Sequence, residues 1–86
     1  MHEHGLIRAL LRRIDEIVAA EKADRVVSVQ VWMGALCHIS DAHFRAHFTA
    51  DTRGTAIEGA NLNLSVSTDI DHPRAQDILL ESIEVV

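Results

Sequence analysis

The apolar residues of this chain change their spacing between residues 18 and 26, and that change decides which elements it can form. Between Leu6 and Val18 they recur every three or four positions, which predicts an amphipathic helix over about residues 4–22. From Val26 to Met33 the pattern has a period of two and β-branched residues dominate, which predicts a strand. The buried face of that strand is expected to hold Val27, Val29, Val31 and Met33.

A second helix is predicted to begin at Ser40 and Asp41. Short polar side chains of this kind cap the free N–H groups at helix starts. Phe44 and Phe48 are four residues apart, so both are expected on the buried face of this helix. Gly54 is the residue expected to end it, because glycine readily adopts the conformation that follows a helix.

Residues 61–67 alternate between apolar and polar side chains, which predicts a strand. Residues 78–86 are predicted to form the last strand, with Ile83 and Val85 facing in beside Ser82 and Glu84. The order helix, strand, helix, strand, strand gives an α+β fold in which two helices pack on one face of a small three-stranded mixed sheet. The first two strands should be parallel, through a right-handed crossover, and the last strand should run antiparallel. The other face and the edges of the sheet stay partly exposed, which favours pairing between chains.

Composition and charge exclude several classes of partner. The chain has 8 Lys and Arg against 13 Asp and Glu, a formal net charge of −5, so it lacks the basic character of a nucleic-acid-binding protein. No apolar stretch approaches the roughly 20 residues of a membrane helix. The single cysteine, Cys37, cannot form an internal disulfide, which fits the reducing cytoplasm. We expect one cytoplasmic domain over residues 1–86, with neither a nucleic-acid nor a membrane partner.

The first four residues, Met1-His2-Glu3-His4, bring several nitrogen donors together. A free Met1 amine, the His2 imidazole and the ionised amides of His2 and Glu3 can surround a metal in one plane. Square-planar nitrogen ligation favours Ni(II) or Cu(II) over Zn(II), which prefers a tetrahedron. The Glu3 carboxylate and His4 would then be axial or outer ligands. The alternative is that these histidines are solvated and bind nothing, and the four residues alone leave both interpretations open.

Short motifs in a fixed order along the chain resemble those of a known family. They are Met1-His2-Glu3 ahead of the first helix, Met33-Gly34-Ala35-Leu36-Cys37, Phe44 with Phe48, Arg53-Gly54-Thr55, Glu58-Gly59-Ala60-Asn61-Leu62-Asn63-Leu64 and Glu81-Ser82-Ile83-Glu84-Val85. With these motifs the chain resembles the HypA/HybF family, the nickel metallochaperones of hydrogenase maturation. The resemblance implies that Met1, His2 and Glu3 hold Ni(II). It also implies delivery to a hydrogenase large-subunit precursor, with the GTPase HypB as a partner.

The chain departs from this family where its last two strands are joined. Members of the family carry a zinc domain with paired Cys-x-x-Cys motifs there, whereas here a short loop of about residues 67–77 contains no cysteine. Structural zinc takes four ligands, commonly thiolates, so no structural zinc is expected. The alternative function is therefore a non-catalytic interaction or regulatory module derived from the HypA fold. Such a module would form a homodimer or bind a hydrogenase-related partner without delivering nickel.

Two further pairs of side chains are candidates for a metal site and a catalytic site. His43 and His47 are four residues apart, so their rings can share one face of the second helix and chelate a metal. The same spacing fits the polar flank of an amphipathic helix, and the sequence favours that interpretation. Cys37 and His38 are adjacent, but neighbouring side chains seldom point at each other, and no oxyanion-stabilising pattern follows them. We therefore expect no enzymatic activity.

Overall fold

The computed structural model describes residues 3–86, apart from the side chains of Glu3 and His4. All the predicted elements form, in the predicted order, and apart from the end of α2 their ends lie within about a residue of those expected from the sequence. They are α1 (Glu3–Glu21), β1 (Val26–Met33), α2 (Asp41–Asp51), β2 (Asn61–Val66) and β3 (Ile78–Val85). The α+β prediction is confirmed.

The three strands form one mixed sheet in the order β2-β1-β3. The β1–α2–β2 segment gives the predicted parallel pair, while β3 runs antiparallel to β1. Val31 lies at the centre of the sheet, opposite Leu64 of β2 and Leu80 of β3. The final strand therefore pairs with β1 rather than with the strand that precedes it, and β2 and β3 are both edges.

The core lies between the helices and one face of the sheet. Val29, Val31 and Met33 of β1 are completely buried, as their alternation predicts. At the start of the strand the prediction is wrong, because Val26 is buried and Val27 is only half-buried. The pairing with β3 shifts register between Val26 and Ser28, and such a bulge turns the preceding side chain to the opposite face. The helices contribute Ile7, Leu10, Ile14, Phe44 and Phe48.

Helix α2 begins as predicted and ends earlier than predicted. The Ser40 hydroxyl accepts a hydrogen bond from the backbone N–H of His43 at 3.0 Å, which satisfies one free donor of the first turn. At the other end, the Thr52 N–H and hydroxyl both donate to the Phe48 carbonyl. Thr52 therefore caps the helix, and Gly54, with φ of +79°, lies in the turn that follows.

The connection between β2 and β3 packs against the end of β1. The backbone N–H groups of Gly34 and Leu36 donate to the carbonyls of Asp77 and Ala75, at 2.9 and 2.7 Å. A Cβ atom at Gly34 would lie 2.1 Å from the Ala75 carbonyl oxygen, so only glycine permits this approach. Ala75 is itself buried. The short loop predicted at residues 67–77 is thus an ordered part of the fold.

Candidate metal centre

Of the predicted nickel ligands, only Glu3 and His4 fall within the described residues, at the start of α1. Met1 and His2 fall outside the described residues, and Glu3 and His4 form the first turn of the helix, with side chains that are not described. The helix begins at Glu3, and the first N–H groups of any helix have no partner within the helix. The Glu3 amide can therefore ionise onto a metal without breaking a helical hydrogen bond. This backbone arrangement is compatible with the predicted planar site.

The order of the elements fixes the direction of each helix relative to β1. Only residues 22–25 separate α1 from β1, so α1 runs back across the sheet, and α2 also runs opposite to β1 within the parallel β1–α2–β2 unit. The two helices consequently point in the same direction. Arg8 and Arg12 of α1 line one cavity with Asp51, the last residue of α2.

His43 and His47 lie side by side on α2. Their ring centroids are 4.7 Å apart and the ring planes differ by only 12°, so the rings are stacked. His43 is exposed and His47 is half-buried. The sequence predicted that these rings share one face of the helix, and the structure confirms it.

A row of small residues lies beside these rings. Sequence inspection did not single it out, although the spacing Ala42, Ala46, Ala50 is visible in the sequence. The three alanines and the two histidines line a shallow depression on α2. Small side chains at these positions leave open space next to the imidazoles.

The other candidate residues do not assemble into a site. His72 contacts Trp32, with ring centroids 4.8 Å apart, and its Nδ1 accepts a hydrogen bond from the Arg74 N–H. Cys37 is a half-buried free thiol, packed against the core, and its neighbour His38 has a positive φ of 60°. Among the side chains that the structure describes, those of residues 5–86, no three or more His, Cys, Asp or Glu are grouped to hold a metal ion. In the same part of the chain, no helix is long and apolar enough to cross a membrane.

Comparison with known proteins identifies the family. The profile of the family described as "Hydrogenase/urease nickel incorporation, metallochaperone, hypA" matches residues 1–71, from the predicted ligands through β2. The chain belongs to the HypA family. The hydrogenase maturation factor HypA of Archaeoglobus fulgidus is 33% identical over 66 residues, which cover 77% of this chain and 60% of that protein. Its counterpart in Methylocella silvestris is also 33% identical over 66 residues, covering 77% of this chain and 58% of that protein.

Solved structures of the family share the fold. The solution structure of the Ni metallochaperone HypA from Helicobacter pylori superposes with a TM-score of 0.81, at 16% identity, and covers 100% of this chain and 98% of that chain. Another solution structure of a HypA protein superposes with a TM-score of 0.75, also at 16% identity. The matched regions span about three fifths of the length of the curated relatives.

Proposed function

We propose that this chain carries Ni(II) as cargo for the maturation of a nickel enzyme, in the first instance a [NiFe] hydrogenase, and that it is not itself an enzyme. The observation that carries the proposal is the family match, which begins at the residues predicted to bind the metal. The family description names nickel incorporation, and the relatives are named hydrogenase maturation factors.

In this proposal the metal is bound by the N-terminal residues. The Met1 amine, the His2 imidazole and the amides of His2 and Glu3 supply four nitrogen donors in a plane, the geometry that Ni(II) accepts and Zn(II) does not favour. Glu3 and His4 serve as axial or outer ligands. The helical start at Glu3 supports this assignment, because the amide involved is one that α1 leaves without an intrahelical partner.

The partners follow from the same family role. A hydrogenase large-subunit precursor would receive the nickel, and a HypB-like GTPase would act with this chain in the delivery. Residues 1–86 would form one cytoplasmic nickel-binding domain, with the 67–77 loop in the place of a zinc insertion. The single cysteine leaves such a domain without the thiolate set of a structural zinc site.

Calorimetric titration with Ni(II) tests the N-terminal site. Protein whose first residue is verified as Met1 by mass spectrometry should bind one tightly held nickel ion per chain. His2→Ala should lose that binding, because one donor of the planar set is gone. A control is His72→Ala, which removes an imidazole from the 67–77 loop and should leave the tight binding unchanged. Retention of tight binding in His2→Ala would rule out this ligand set.

Complementation separates nickel delivery from the alternative of a nickel-independent adaptor. A host that lacks its own HypA should regain hydrogenase activity with the native chain, and His2→Ala should restore little. Full activity with His2→Ala, together with normal binding to the hydrogenase precursor, would favour the adaptor. That result would reject delivery through the N-terminus.

A further inference from the structure

We propose that His43 and His47 form a second divalent-cation site on α2, distinct from the N-terminal site. Its ligands are two imidazoles, so it would take metals that accept nitrogen donors, such as Ni(II), Cu(II) or Zn(II). The proposal goes beyond the proposed function because it requires neither the Met1 amine nor His2.

The i, i+4 spacing of the two rings allows them to chelate one cation. A cation about 2.0–2.1 Å from two imidazole nitrogens holds those nitrogens roughly 3 Å apart when they are adjacent ligands. The two rings are stacked with centroids 4.7 Å apart and planes within 12°. Because stacked rings direct their nitrogen lone pairs side by side, both side chains would rotate about their side-chain bonds so that one nitrogen of each ring faces the same cation. No movement of the α2 backbone is needed, because i and i+4 side chains already share a face.

The surroundings of the rings leave room for the rest of the coordination shell. Ala42, Ala46 and Ala50 flank the histidines, and the five residues together line an open depression. Water can therefore fill the remaining coordination positions. Since no third His, Cys, Asp or Glu among the side chains of residues 5–86 joins a metal-holding group, two imidazoles alone would bind more weakly than a complete planar nitrogen set.

The backbone of the two histidines is fixed by the cap at the start of α2 and by the buried face of the helix. His43 donates its N–H to the Ser40 hydroxyl at the helix start. Phe44 and Phe48, each one residue further along, are 0% and 3% exposed in the core. The two ligands thus project from a fixed helix, and little backbone conformational entropy is lost when they bind a cation.

Among the described side chains, the charged groups one or more turns away from the two histidines on α1 and α2 include both acids and bases. Asp51 follows His47 by one turn on the same face of α2, and it shares a cavity with Arg8, Arg12 and Asp15 of α1. The carboxylate of Asp51 contributes a favourable field for a cation bound one turn away, and the arginines limit that contribution.

Blocking the chain start isolates this site experimentally. A short histidine-free extension before Met1 removes the terminal amine from the N-terminal ligand set. Calorimetric titration of this extended protein with Ni(II) should still show one weak binding event per chain. In the extended His43→Ala/His47→Ala protein that event should disappear. Extended His38→Asn/His72→Asn loses the same number of imidazoles and should retain it, and asparagine tolerates the positive φ of His38.

The outcomes of this test and of the test of the proposed function are separate. If the extended protein binds no nickel, or if His43→Ala/His47→Ala leaves its binding unchanged, the second site is overturned. The same holds if the double alanine variant weakens only the tight site of the native-start protein, because the histidines would then belong to that site. Failure of the N-terminal site instead leaves native-start and extended proteins with the same single weak event, which His43→Ala/His47→Ala abolishes.

Discussion

The two faces of α2 carry pairs of rings at the same residue spacing, one pair buried in the core and the other on the solvent side. Phe44 and Phe48 are four residues apart and nearly without solvent exposure, with ring centroids 6.3 Å apart. His43 and His47 have the same spacing, directly before them in the sequence, and stack at 4.7 Å on the solvent side. An i, i+4 pair in a helix always shares a face. Whether that pair stabilises the fold or offers ligands depends on the side chains and on what covers them.

This comparison implies that the two faces of one helix have different roles. The phenylalanine face should carry the stability of the domain, and the histidine face should affect metal binding with little effect on folding. Substitutions on each face test this difference between them.

The largest effect is expected at Phe44. Phe44→Ala leaves a cavity in the core and should lower the free energy of unfolding by about 3–5 kcal/mol. Urea denaturation followed by circular dichroism measures this loss as a lower midpoint. Phe44→Leu keeps most of the buried volume and should lose less. Equal, small losses in both variants would show that this face does not anchor α2.

A smaller effect is expected at the helix start, which both faces share. Ser40→Ala removes the acceptor for the His43 N–H and should cost about 1 kcal/mol. Ser40→Asp retains an acceptor at the same position and is the matched control. The thermal unfolding midpoint should fall for alanine and stay near that of the native protein for aspartate. A fall of the same size in both would contradict the capping role.

Arg45 lies outside the core and should contribute still less. Its guanidinium binds the Asp41 carboxylate, at 2.6 Å, and the Leu62 carbonyl on the edge strand β2, at 2.9 Å. Both charged side chains are about half exposed, so Arg45→Ala should cost about 0–1 kcal/mol. Arg45→Lys keeps the charge but loses the two-partner geometry. A loss as large as that of Phe44→Ala would show that the edge contact holds α2 in place.

The smallest effect on stability is expected on the histidine face. Without metal, His43→Ala/His47→Ala should change the free energy of unfolding by no more than about 0.5 kcal/mol, as is usual for surface substitutions. With Ni(II), the extended native sequence should show a raised thermal midpoint, because ligands that bind only the folded state stabilise it. The extended double variant should show no such rise. A large loss of stability without metal would mean that the rings are structural.

The sequence predicts those parts of the molecule that depend on local periodicity. Ser40, Phe44 and Phe48 were predicted because a helical period and a cap are local features. The burial of Val26 was not predicted, since the bulge arises from pairing with β3, more than fifty residues away. The strand order was not fixed by the pattern either, because a final antiparallel strand can pair with the free edge of β1 or with β2. The parallel stacking of His43 and His47 depends on side-chain rotamers that spacing alone does not specify.

The proposed function requires a free chain start whose own nitrogen atoms surround Ni(II). Visible absorption spectroscopy of nickel-loaded protein tests this directly, using chains that begin at Met1 with a free amine and matched chains that are acetylated there. Acetylation removes the basic nitrogen and changes little else. The free chains should show the absorption band of planar nitrogen-ligated Ni(II), and the acetylated chains should lack it. If the free and the acetylated chains both show this band, or if neither does, the planar nitrogen site at the Met1 amine is contradicted.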